Sequence, residues 1–392
     1  MNSTEISLED FVSFQRGFDL PKKDFIEGDY PVVGSTSILG YHNVYKVKGP
    51  GLVTGRSGTL GNFQYIVSDF WPHNTTLWVK NFKGNNSRFV YYYLLTINLA
   101  KFNSGGAVPT LNRNLIKNYR VKKFSLEKQQ KIVSILSSYD DLIENNLKRI
   151  KLLEESAQMI YKEQFGDFLL SDDSIKQLPK GFSIKLLGEI SAKLESGSRP
   201  KGGIDKKLRS GVPSIGAENV IGLGKYNYQA EKMIPEPFFA KMKNGVIEDR
   251  DILIYKDGAY IGKTSLFQDD FPYTKCCVNE HVFLVHCSNR LYQYFLFLTL
   301  NHPLYYKKMQ NLNANSAQPG INQAAVKSLS LIWPDEKTII SFNHKIESMI
   351  SLIFNLAKQN RLLQQARDLL LPKLMTGEMK FNICLTNTQK II

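Results

Sequence analysis

The chain has 392 residues and carries 50 Lys and Arg against 36 Asp and Glu, a formal net charge of +14. That length has room for two or three domains, and a hydrophobic content of 43% suits packed cores. No apolar run reaches the ~18 residues that a membrane span needs; the densest, LYQYFLFLTL (291–300), reads as a buried helix. The four cysteines have no regular spacing, and the opening MNSTEISLEDF is polar and acidic where a secretory leader would be basic and then apolar. The expectation is a reducing, cytoplasmic setting.

In chain order, the sequence opens with ISLEDFVSFQRG, a short amphipathic start ending at Gly17, followed by EGDYPVVGS (27–35). GLVTGRSGTLG (51–61) then reads as a strand, a basic residue (Arg56), a glycine turn (Gly58) and a returning strand. An aromatic helix, RFVYYYLLTINL (88–99), and SGGAVPTLNRNLIKN (104–118) complete this part. Residues 1–125 hold 15 Lys and Arg against 8 Asp and Glu, a net of +7.

From Glu127 to Phe165 the apolar positions alternate in steps of four and three: Ile132, Leu136, Tyr139, Ile143, Asn146, Ile150, Leu153, Ala157 and Ile160. This heptad seam has one polar member, Asn146, and predicts a long helix, 126–165, that needs a partner helix. The segment GDFLLSDDSIKQLPKG (166–181) reads as a linker. Residues 126–179 carry a net of −3.

The whole order then recurs. IKLLGEISAKLESG (184–197) again ends at a glycine, and RSGVPSIGA (209–217) matches Pro31 with Pro213 and Gly34 with Gly216. DILIYKDGAYIG (251–262) repeats the strand, the basic residue (Lys256) and the glycine turn (Gly258), and RLYQYFLFLTLN (290–301) repeats the aromatic helix. At a shift of 210, ANSAQPGINQAAVKS (314–328) lies over 104–118, so that Pro109 meets Pro319, Asn112 meets Asn322 and Lys117 meets Lys327. At that same shift the seam returns as Phe342, Ile346, Met349, Ile353, Leu356, Asn360, Leu363, Arg367 and Leu370. Pro334, Asp335 and Glu336 mark the start of this second helix, 334–378, and Pro372 is expected to kink or stop it. The tail 379–392 is expected to fray or to pack loosely.

The chain is therefore a duplication: a lobe (1–125), a helix, a second lobe (182–333) and a second helix. The lobes read as strand-rich α+β bodies. Residues 180–333 hold 20 Lys and Arg against 13 Asp and Glu, again +7, so each lobe suits a polyanion better than the non-basic first helix does.

Catalytic signatures are wanting. The cofactor loop and Asn-Pro-Pro-aromatic motif of an adenine methyltransferase do not occur. GAYIGKTS (258–265) has its glycines one residue too close for a phosphate loop and lies in a strand pair. CCVNEHVFLVHC (276–287) gathers Cys276, Cys277, His281, His286 and Cys287, but alternation through His281, Phe283 and Val285 reads as a strand, and spaced CxxC pairs are absent. The chain reads as a reader of its target and not as an enzyme, with no metal site. The candidate DNA-contacting residues are Arg16, Arg56, Ser57, Gly58, Thr59 and Asn62 in the first lobe and Lys256, Asp257, Gly258, Tyr260 and Lys263 in the second: glycines admit close backbone approach, and a basic side chain stands beside each turn.

QQKIVSILSSYDDLIENNLKRIKLLEESAQMIYKEQF (129–165), PTLNRNLIKNYRV (109–121), RDLLLPKLMTGE (367–378) and the lobe openings ISLEDF and IKLLGEI together resemble the specificity subunit of type I restriction-modification systems, over nearly the whole chain. The resemblance implies two target recognition domains, each reading half of a split, asymmetric double-stranded DNA sequence. The long helices would pair as an antiparallel coiled-coil spacer with pseudo-twofold symmetry. It further implies docking of two methyltransferase subunits and of restriction subunits, with S-adenosylmethionine, ATP and magnesium bound by those partners and no cofactor by this chain.

Geometry bears on the same arrangement. A helix from 127 to 165 at ~1.5 Å rise spans roughly 58 Å, and antiparallel pairing sends the two lobes to opposite ends of the spacer. If the pseudo-twofold crosses near position 148, Asn146 and Asn360 face each other across the seam. The rival reading is a non-enzymatic coiled-coil scaffold whose lobes bind protein or RNA; a second is an enzyme acting alone, such as a fused methyltransferase.

Overall fold

The computed structural model describes residues 4–106, 108–169, 178, 180–205, 208, 210–313 and 319–377. Most of the linker 166–181, positions 314–318 of the repeated segment and the tail 379–392 lie outside the described residues.

The first lobe runs β1 (Glu5–Ser7), α1 (Leu8–Phe11), β2 (Ser13–Arg16), β3 (Tyr30–Val33), β4 (Ile38–His42), β5 (Gly51–Gly55), β6 (Phe63–Ile66), β7 (Trp71–Pro72), β8 (Thr76–Asn81), α2 (Ser87–Leu95), α3 (Arg113–Ile116) and β9 (Arg120–Lys122). The opening segment is thus two strands around a single helical turn, and not one amphipathic piece. Ser7 caps that turn by accepting from Asp10 N. The long helix α4 (Leu126–Leu169) follows, outlasting its expected end at 165. Ser125 Oγ accepts from Lys128 N at its start.

The second lobe runs β10 (Ser183–Leu186), α5 (Leu187–Ile190), β11 (Ser191–Ser196), β12 (Val212–Ile215), β13 (Met233–Ile234), α6 (Glu236–Phe239), β14 (Ile252–Tyr255), β15 (Thr264–Leu266), β16 (Cys277–Val278), β17 (Val282–Cys287), α7 (Gln293–Asn301), α8 (Pro303–Asn311), α9 (Gln323–Lys327) and β18 (Ser330–Trp333). The second long helix, α10 (Glu336–Thr376), begins after Asp335, whose carboxylate accepts from Thr338 N at 2.8 Å. Pro372 does not stop it: the helix runs on to Thr376, and Gly377 at φ +76° ends it. Pro372 lacks the N–H that would reach the Asp368 carbonyl, so the helix passes it at the loss of that one hydrogen bond.

Both lobes have one strand order. The first contains a four-stranded sheet β2-β8-β5-β6, a three-stranded sheet β4-β3-β7 and the pair β1-β9; the second contains β11-β17-β14-β15, β13-β12-β16 and β10-β18. Each three-stranded sheet has one parallel pair, β3 with β7 and β12 with β16. The strand read through His281, Phe283 and Val285 is present as β17, but it begins after His281 and is buried on both faces instead of alternating.

The chain divides into two compact units, one of residues up to Asp141 with those from Gln364 onward, the other Leu142–Leu363. In the first, Ile132 and Leu136 of α4 share a core with Leu371, Leu374 and Met375 of α10 and with Phe11, Phe89 and Leu94 of the lobe. In the second, Ile150, Ala157, Tyr161 and Phe165 of α4 share a core with Phe342, Ile346, Ile350 and Ile353 of α10 and with Phe295 and Leu300 of α7. Each buried large apolar side chain here contributes ~1.5–3 kcal/mol. Within this second unit the helices run antiparallel: Phe165 packs on Phe342 (ring centroids 5.1 Å apart), and Asn146 meets Asn360.

Of the seam residues, Ile132, Leu136, Ile143, Asn146, Ile150, Phe342, Ile346, Ile353, Leu356 and Asn360 are buried, whereas Tyr139, Leu153, Met349 and Leu363 are only half-buried. The helices also pack on lobe elements, so the buried stripe is broader than a two-helix seam, and Ile350, Phe354 and Ala357 join it.

Candidate nucleic-acid interface

In the first lobe the site is built on close backbone approaches. β2 leads into Gly17, where a Cβ would stand 2.1 Å from His73 O, and at Gly55 a Cβ would stand 1.8 Å from Thr59 O. Only glycine lets these chains pass so closely. Arg56 follows directly, fixed on both sides: its N–H donates to Thr75 O and its carbonyl accepts from Leu111 N, both at 2.8 Å. Gly58, at φ +87°, donates to Pro109 O at 2.9 Å. The glycine turn and the Pro-Thr-Leu-Asn stretch, far apart in sequence, are therefore neighbours. Together with the end of β2 they enclose a groove of about 800 Å³, lined among others by Gln15, Arg16, Arg56, Lys80, Asn112 and Arg113. Among the described residues, four of its side chains are cationic and no carboxylate lines it.

The second lobe repeats the construction. At Gly197 a Cβ would stand 1.7 Å from Val278 O. Lys256 N–H donates to His281 O at 3.1 Å and its carbonyl accepts from Ile321 N at 3.2 Å, while Gly258 N–H donates to Pro319 O at 3.0 Å. The groove here is about 650 Å³, lined among others by Lys193, Glu195, Lys256, Asn322, Gln323 and Lys327. Its polar groups are more engaged: Glu195 accepts from Gly245 N at 2.7 Å, Lys193 pairs with Glu248 at 2.7 Å, and Gln323 donates to Leu194 O.

A profile described as the type I restriction modification DNA specificity domain matches residues 2–155 and again 179–366, most of the chain and once around each groove. The chain belongs to this specificity-domain family. Among its relatives, the type I restriction enzyme MjaIX specificity subunit of Methanocaldococcus jannaschii is 24% identical over 389 residues, covering 91% of this chain and 88% of that one. The MjaVIII specificity subunit of the same organism is 23% identical, covering 70% and 66%. The crystal structure of the S subunit of a type I restriction-modification system from M. genitalium shares the fold, with a TM-score of 0.58 at 16% identity over 95% of this chain and 96% of that one.

Within this specificity subunit the candidate residues fall into distinct places. Arg16 and Arg56 come together in the first groove, whereas Gly58, Thr59 and Asn62 lie exposed on the turn beyond it, with Ser57 bridged to Thr110. Of the second set only Lys256 lines a groove. Asp257 pairs with His281 at 3.1 Å, and Lys263 places its ammonium 3.8 Å from the Tyr260 ring centroid. Sequence reasoning passed over Gln15, Lys80, Arg113, Lys193, Gln323 and the role of Lys327. For Arg113, Gln323 and Lys327 a signal lies in the 104–118 and 314–328 repeat; Gln15, Lys80 and Lys193 are brought to the grooves only by the fold.

The cysteine cluster also resolves. Cys276, Cys277 and Cys287 are buried thiols, and burial pushes the Cys277 thiol up to about 11. His286 faces Asp251 at 2.7 Å, whereas His281 turns towards Asp257 and Glu280.

On the paired helices, Asn146 Nδ2 donates to Asn360 Oδ1 at 3.0 Å, and Asn360 Nδ2 donates to Ile143 O at 3.4 Å. Both amides are buried. Two arginines of α10 fasten it further. Arg367 Nη1 meets Asp140 Oδ1 at 2.6 Å, and Asp140 also accepts from Tyr92 OH at 2.5 Å. The Arg361 guanidinium sits 4.8 Å and 4.2 Å from the ring centroids of Tyr228 and Tyr273. Among the described residues no helix is long and apolar enough to cross a membrane.

Proposed function

We propose that this specificity subunit reads a split, asymmetric duplex sequence, one half-site per lobe, and leaves the chemistry to partner subunits. The observation that supports this most is the same groove built twice on one strand order but lined by different side chains. A repeated scaffold with divergent linings suits two dissimilar half-sites. The basic linings suit phosphate and base-edge acceptors. The proposed division is two target recognition domains, 1–125 and 182–333, with the helices 126–165 and 334–378 between and after them.

Two methyltransferase subunits dock on the helices in this proposal, and restriction subunits join them. Leu152 and Met159 of α4, seven residues apart and 61% and 70% exposed, offer apolar contacts for such partners. S-adenosylmethionine, ATP and magnesium belong to those partners, and the assembly works in the cytoplasm.

The test is methylome sequencing of cells with and without this chain, joined to duplex titration of the purified chain with its methyltransferase subunits across salt concentrations. The expected results are loss of one bipartite adenine-methylation motif and a steep fall in affinity with salt. An unchanged methylome, or binding that prefers protein or RNA, would favour the scaffold reading.

A further inference from the structure

We infer that Arg56 is the guanine reader of the first lobe, and that its counterpart Lys256 does not play that part in the second. This rests on the duplex-reading proposal above and names one of its contacts.

The two residues occupy equivalent places. Each follows the strand at the centre of its four-stranded sheet, β5 or β14, and each is held by a main-chain hydrogen bond on either side. Their heads differ. Lys256 Nζ donates to Glu280 O at 3.0 Å and lies 5.2 Å from the Phe283 ring centroid, so its charge is used within the lobe. Among the described residues Arg56 has no such partner: its Nε is buried and without a hydrogen bond. A buried N–H without an acceptor is costly, and among the described residues its groove supplies no carboxylate. The guanidinium charge is therefore not satisfied within the lobe and is left for a ligand in the groove.

Position separates base from phosphate. Arg16, Lys80 and Arg113 line the same groove but are exposed, as backbone-contacting cations are. Arg56 is half-buried among them, on a backbone that the flanking bonds hold still. A guanidinium spans guanine O6 and N7 with two parallel N–H donors, and a lysine cannot reproduce that fork. A fixed arginine recessed between peripheral cations is suited to such a base edge.

The experiment takes the full chain with its methyltransferase subunits and a randomised duplex library, and sequences the bound fraction for wild type, Arg56→Lys and Arg56→Gln. The expected wild-type result is a bipartite motif with an obligatory guanine in one half. Arg56→Lys, which keeps the charge and the main-chain bonds, lowers discrimination at that guanine by roughly 5- to 150-fold. It leaves the other half-site unchanged. Arg56→Gln does the same or shifts the preference to adenine. A bipartite wild-type motif whose every position weakens evenly in both variants makes Arg56 a phosphate contact and overturns the assignment. A wild type that enriches no bipartite motif removes the duplex-reading proposal and this assignment together.

Discussion

The asparagine pair gives the sharpest stability prediction. In Asn146→Leu, the Asn360 carbonyl oxygen loses its donor while its amide still reaches Ile143 O. In Asn360→Leu, the Asn146 amide loses its acceptor. Leaving one buried polar group unsatisfied costs ~1–3 kcal/mol, and the added leucine offsets part of this. Each single variant should therefore lose about 1–2 kcal/mol. The double variant removes both amides and should lie near the wild type or above it, giving a coupling of about 2–4 kcal/mol. The assay is urea unfolding of the full chain followed by helical circular dichroism. With a slope of ~2–3 kcal/mol/M, each single variant should move the midpoint down by about 0.5 M, and the double should restore it. If the single losses simply add in the double variant, the two amides are not a coupled pair and the reasoning fails. A restored double variant would mean that the pair is retained for register more than for stability, as single polar seam residues are in coiled coils.

Asp140→Ala strips Arg367 and Tyr92 of a shared partner that is about one-fifth exposed, and should cost about 2–3 kcal/mol against about 1 for Tyr92→Phe, read as urea midpoints. Burial pushes the Asp251 carboxyl up to about 6, with the His286 ring pulling the other way. The folded chain then holds that proton to higher pH than the unfolded one, so the stability contribution is full below about pH 4 and falls as pH rises to about 6. Asp251→Asn should abolish that part of the slope between pH 4.5 and 6.5; an identical slope in wild type and variant would remove Asp251 as its source. Arg16→Ala and Lys80→Ala should each lower the salt dependence of duplex binding by about one counterion without changing the bound sequence, and a changed base preference would reassign them as readers.

The duplication was legible because its strongest signals are local. Spacings of three and four residues place Ile132, Leu136, Ile143 and Ile150 on one stripe of any helix, and the same count places Phe342, Ile346 and Ile353. Gly17 and Gly197 stood out as segment ends, although the cause, a carbonyl occupying the place of a Cβ, is visible only in three dimensions. The strand order was not legible, because two- to six-residue strands carry little periodicity and β17 has no polar face to mark it.

What the amino-acid sequence determined by itself was the plan: two basic bodies and two long helices, each helix with a single asparagine among its apolar positions. Periodicity and charge are properties of the chain and survive without a fold. Which cation is free was decided only by tertiary structure. Arg56 and Lys256 have equivalent sequence settings, but Glu280 and Phe283 close on Lys256, whereas no described residue closes on Arg56. The grooves likewise exist only because β2 or β11, the glycine turn and the Pro109 or Pro319 stretch converge after long excursions of chain. Such contacts between distant segments depend on where backbones cross, and no local spacing records that.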